Sequence, residues 1–91
     1  MTKETVDKIQ RQIKFAGIKH GEFDGSIDHR SMILVEEVGE FIQAANNMKE
    51  KGKGYIQMEL ELSQIAAVCF RFIDSIQEEV IAEKDGQMEI F

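Results

Sequence analysis

Apolar residues recur along this chain at three- and four-residue intervals, the period of helices that bury one face. Val6, Ile9, Ile13 and Ala16 form a narrow stripe, which predicts a first helix from about Thr2 to about Gly17 with Thr2 as its N-cap. The segment from Gly17 to Ser26 holds three glycines and reads as the main loop. Ser26 or Asp28 then caps a second helix that continues to about Lys49. Its apolar face is Leu34, Val38, Phe41, Ala45 and Met48, widened by Val35 and Ile42. Lys51-Gly52-Lys53-Gly54 is a tight polar turn. A third helix starts near Tyr55, with Met58, Leu62, Ile65, Val68, Cys69, Phe72 and Ile76 as its stripe. The pattern predicts that it runs unbroken to Lys84, roughly 45 Å at 1.5 Å per residue. Asp85-Gly86 is the natural stop, and the tail 85–91 ends apolar, suited to docking on the body or on a second subunit.

Composition narrows the fold. The 91 residues include no proline and no tryptophan and are rich in Glu, Lys, Gln, Ile and Met, which favours an all-α domain spanning 1–91. A helical hairpin plus an N-terminal helix is expected, completed into a four-helix-type bundle by oligomerisation. Phe70 points away from its helix's stripe, and Phe23 and Phe91 have no core slot, so an interface between copies is expected. The net charge of −6 argues against a nucleic-acid polymer as partner. It does not exclude a phosphorylated small molecule, because a bound cation can mediate between acidic protein and anionic ligand. No apolar run reaches the roughly 20 residues of a membrane span, and the N-terminal residues lack a signal peptide's apolar core. With Cys69 as the single cysteine, a cytoplasmic protein is expected.

Two acidic phrases carry the chemistry: Glu36-Glu37-Val38-Gly39-Glu40 and Glu61-Leu62-Ser63-Gln64. A spacing of three puts Glu37 beside Glu40, and Glu61 beside Gln64, on one face of each helix. Three glutamates on one helix are ordinarily a solvated face. Here both pairs border apolar stripes, and the turn at 51–54 brings them to within about 6 Å of the same axial level. Carboxylates facing one another need a cation between them, and a hard divalent ion such as Mg²⁺ prefers oxygen ligands. Glu37, Glu40, Glu61 and Gln64 are therefore the expected metal ligands.

Leu34-Val35-Glu36-Glu37-Val38-Gly39-Glu40, followed after the hairpin turn by Glu59-Leu60-Glu61-Leu62-Ser63-Gln64-Ile65-Ala66-Ala67-Val68, resembles the MazG-type, all-α nucleoside triphosphate pyrophosphohydrolases. That family's pattern is Glu-Glu-x-x-Glu, a spacer, then Glu-x-x-Asp. The resemblance covers about residues 28–76, and the short MazG-like proteins of bacteria and phages are the most similar group. It implies a homodimer or homotetramer that uses Mg²⁺, with Mn²⁺ as a substitute, to split a nucleoside triphosphate into monophosphate and pyrophosphate. Glu37, Glu40 and Glu61 carry over as ligands, and Glu36 as the residue orienting the attacking water or a second ion. Gln64 departs from the pattern, standing where Asp is expected, which costs a negative charge and weakens ion binding and water activation. The alternative function is a catalytically weakened MazG-like protein that binds nucleotide or metal, or a helical partner protein.

Three cationic residues are candidates for substrate phosphate. Arg71, seven residues after Gln64, lies on the same side; its competing role is a surface pair with Asp74 or Glu78. His29 and Arg30 open the second helix, where free backbone N–H groups favour anions, although an exposed first-turn position accounts equally for His29. His20 either covers the site from its loop or is idle. Lys49, Lys51 and Lys53 read as a solvated turn and Cys69 as a small core residue.

Overall fold

The computed structural model describes residues 1–20 and 25–90, with residues 19, 20 and 87–90 as backbone only. Every regular element among them is helical: α1 (Lys3–His20), α2 (Ile27–Lys51), α3 (Tyr55–Ser75) and α4 (Gln77–Ile90). The all-α expectation holds.

Local chemistry sets most boundaries. Thr2 caps α1, its hydroxyl oxygen accepting the Thr5 N–H at 3.2 Å. Ser26 caps α2 from an extended conformation, and its hydroxyl oxygen accepts the His29 N–H at 3.0 Å. At the other end Gly52 adopts φ 68°, a left-handed conformation, and its N–H closes on the Met48 carbonyl at 2.8 Å. Lys49 and Lys51 in the last turn suit the negative end of the helix dipole. Gly54, at φ 121°, starts α3 and offers no capping side chain. These two glycines let the chain reverse within the span 52–54, which makes α2 and α3 neighbours.

Two expectations need correction. Helix α1 passes through Gly17 and reaches His20, so the expected loop is shorter than Gly17–Ser26; residues 21–24, including Phe23, lie outside the described residues. The third helix is not one rod to Lys84. It breaks at Ile76, where φ −110° and ψ 10° turn the N–H toward the Ile73 carbonyl. Neighbouring side chains take up the affected carbonyls. The Ser75 hydroxyl donates to the Phe72 carbonyl at 2.7 Å, and the Gln77 amide donates to that of Ile73 at 2.9 Å. Arg30 of α2 donates to the same Ser75 hydroxyl and sits 5.4 Å from the Phe72 ring centroid. The break thus combines local side-chain bonds with a cross-helix anchor, whereas the apolar stripe runs through it uninterrupted. Asp85-Gly86 lies inside α4 and ends nothing.

Helix α3 is the hub. Among the described residues the backbones of α1 and α2 both pack against it and not against each other, and that of α4 approaches α3 alone. The buried apolar residues among those described are few and small: Ala44, Ala67 and Val68. Small side chains at the seams let the helix backbones approach closely. Leu34, Phe41, Ala45 and Met48 of α2 are half-buried, while Val35, Val38 and Ile42 stay exposed. The outer side of α3 likewise leaves Leu62, Phe70 and Ile73 uncovered. The accessible surface is 7244 Å², against about 5,400 Å² for a compact monomer of this mass. The radius of gyration is 16.4 Å, against about 12 Å for a compact domain of this length. No described helix is long and apolar enough to cross a membrane.

Candidate metal centre

The two acidic phrases meet across the α2–α3 seam. Glu37, Glu40 and Glu61 each present a carboxylate oxygen, and these oxygens all lie within 4.8 Å of one another. Glu37 and Glu40 stand one turn apart on α2, as their spacing requires. Glu61 comes from α3, where it is one of few buried residues, only 8% exposed. Burying a carboxylate is costly unless its oxygens find partners. One oxygen of Glu61 does: Oε1 accepts the Gln57 Nε2–H at 2.7 Å. The other, Oε2, is buried with no hydrogen-bond partner among the described residues, and so is Oε2 of Glu37.

The electrostatics agree with the geometry. Burial pushes the Glu37 carboxyl above the usual glutamate range, and the negative charges of Glu40, Glu61 and Glu36 push it further the same way. A divalent cation among these oxygens answers both problems at once. It would supply the missing partner to two buried atoms and offset two of the three negative charges. Carboxylate donors alone, without sulfur or imidazole, suit a hard ion such as Mg²⁺ or Mn²⁺.

Beside the cluster opens a cleft of about 300 Å³. Helix α2 lines it with Glu37, Glu40 and Ile33; α3 contributes Gln64, Ala67, Val68 and Arg71; α1 closes the third side with Gln12, Phe15 and Ala16. Gln64 and Arg71 therefore share a cleft with two of the three carboxylates, on the side their sequence spacing indicates. Glu36 is exposed and belongs to neither the cluster nor the cleft lining, acting on Glu37 only through its charge. His29 and Arg30 do not line the cleft. The His29 side chain is exposed, and the Arg30 guanidinium is engaged with Ser75, the Ser26 carbonyl and the Phe72 ring. The side chain of His20 lies outside the described residues.

Some of the site escapes a reading of motifs. Gln12 and Phe15 line the cleft although nothing in their spacing marks them, because α1 comes beside the acids through its packing on α3, whereas Ile33 stands one turn before Glu37 on α2. Gln57 was findable: it stands four residues before Glu61, the spacing that brings two side chains of one helix together. No protein-family model, curated protein or solved structure matches the chain.

Proposed function

We propose that this chain is a divalent-metal-dependent nucleoside triphosphate pyrophosphohydrolase of the MazG-like kind. The observation that carries the reading is the pair of buried, partnerless carboxylate oxygens on Glu37 and Glu61, within a three-carboxylate cluster beside a cleft. Glu37, Glu40 and Glu61 would hold Mg²⁺ or Mn²⁺, which when bound supplies charge neutralisation at a phosphoryl oxygen and a lower pKa for water. Arg71 faces the same cleft and provides a positive group for phosphate oxygens. On the α1 side, Phe15 and Ala16 give the cleft an apolar wall across from its acidic one. A nucleotide has both characters, an apolar base face and a polyanionic tail that reaches acidic protein through a cation.

Self-association belongs to this proposal. The surface in excess of a compact monomer, and the uncovered Val35, Val38, Ile42, Leu62, Phe70 and Ile73, suit a homodimer or homotetramer. The single Cys69 is free, which accords with the proposed cytoplasmic setting.

A weakened relative that binds nucleotide without useful turnover is the second reading, and Gln64 favours it by standing in the cleft where the motif has Asp. The deciding experiment measures pyrophosphate release from standard and modified nucleoside triphosphates with Mg²⁺ or Mn²⁺, with Glu61→Gln as control. Release of pyrophosphate and monophosphate that Glu61→Gln abolishes is the expected result. Metal-dependent nucleotide binding without turnover supports the second reading, and a chain that binds neither metal nor nucleotide overturns both.

A further inference from the structure

We infer that Gln57 is a positioning residue for Glu61, fixing one carboxylate oxygen so that the other is held ready for the ion. The inference rests on the metal reading above and adds to it a residue outside both acidic phrases. Glu61 is the most enclosed of the three acids and the only one supplied by α3. A glutamate has three rotatable side-chain bonds, and a ligand free to turn about them delivers its oxygen to a site only part of the time. The 2.7 Å bond from Gln57 Nε2 to Oε1 removes that freedom. It also assigns the roles of the two oxygens: Oε1 is occupied, and the buried Oε2 has no partner.

The chemistry of the donor matters as much as its place. An amide N–H satisfies one carboxylate oxygen without adding charge. A lysine or arginine at position 57 would neutralise Glu61 and compete with the ion; a second glutamate would repel the Glu61 carboxylate itself. The orientation of the Gln57 amide follows from its partner, because an ionised carboxylate only accepts and must face the NH₂ group. Gln57 itself is exposed, lining the cavity at the α2–α3 turn with Lys53 and Tyr55. Its substitution therefore disturbs no core. An ordinary glutamine–glutamate pair one turn apart on a helix would contribute a little helix stability and nothing to a site.

Calorimetric titration of the full chain with Mg²⁺, and separately with Mn²⁺, distinguishes these roles. Gln57→Met keeps the side chain's length and removes the donor; Gln57→Asn keeps the amide but stops one methylene short of Oε1. Both should bind Mg²⁺ about tenfold more weakly or worse, the usual cost of losing a group that orients a ligand. Their melting temperatures without metal should stay close to the parent's. Glu61→Gln serves as the reference for loss of the ligand itself. If the parent binds Mg²⁺, Glu61→Gln abolishes binding and both Gln57 variants bind like the parent, the positioning role is overturned while the metal site stands. A change confined to metal-free stability overturns it equally. A parent that binds neither ion overturns the metal reading and this inference together.

Discussion

Replacing Glu37 by glutamine removes one of three carboxylates whose oxygens lie within 4.8 Å of one another, while keeping the side chain's size. Two unit charges at that separation repel by about 0.9 kcal/mol in water-like surroundings and by about 3.5 kcal/mol at an effective dielectric of 20. Glu40 is exposed and Glu37 half-buried, so solvent and salt hold the true value near the lower figure. Glu37 takes part in two of the three pairs, and its removal should stabilise the metal-free protein by about 1 kcal/mol after screening. For a domain of this size that is a rise in Tm of about 4–8 °C. Excess Mg²⁺ should invert the order. An ion present at a hundredfold its Kd adds about 2.7 kcal/mol to the parent, on the order of 10 °C or more, and little to the variant.

The pH dependence has a definite sign. Because the Glu37 pKa is raised in the folded state, its contribution is fully favourable below the unfolded value of about 4.3 and is lost as pH rises through the folded one. Parent and Glu37→Gln should therefore melt together in acid, where both side chains are neutral, and diverge toward neutral pH with the variant higher. Differential scanning fluorimetry at fixed protein concentration, with and without Mg²⁺, reads all of this. A lower metal-free Tm for the variant at neutral pH, or equal Mg²⁺ shifts in both proteins, would refute the reasoning.

Gln64→Asp should lower the metal-free Tm slightly, as a further carboxylate joins the cleft, yet tighten Mg²⁺ binding and raise pyrophosphate release. Absence of both effects would show that Gln64 does not serve the ion. Size-exclusion chromatography with light scattering should give a dimer or tetramer at micromolar concentration, and a compact monomer would contradict the self-association proposal.

The positions of α2, the turn and the start of α3 were legible because each has a local cause: Ser26 as cap, Gly52 and Gly54 as the reversal, and an apolar period between them. The meeting of Glu37, Glu40 and Glu61 was legible for the same reason, since a short hairpin fixes the axial level of both helices. The break at Ile76 was not, because its causes are side-chain bonds from Ser75 and Gln77 and an anchor from Arg30, forty-five residues before Ser75. Nor was the α1 wall of the cleft. A polar Gln12 beside an apolar stripe looks like any solvated helix border until tertiary packing sets it opposite the acids.

Among the described residues the backbones of α1 and α2 each pack on α3 and not on each other, which has a consequence for how the molecule opens. The α2–α3 hairpin contains all three carboxylates and joins its helices through a short turn, so the proposed metal centre needs no residue of α1. Among the described residues helix α1 packs along its seam with α3, which holds the exposed Lys8–Glu59 ion pair at 2.7 Å, an interaction of modest strength. Its amide protons should exchange with solvent well before those of α2 and α3, in a separate cooperative event. When α1 lifts, the acids stay together and only the apolar wall departs. On the proposed metal reading, ion capture and enclosure of whatever occupies the cleft would be separable events, the first a property of the hairpin and the second of the helix packed beside it.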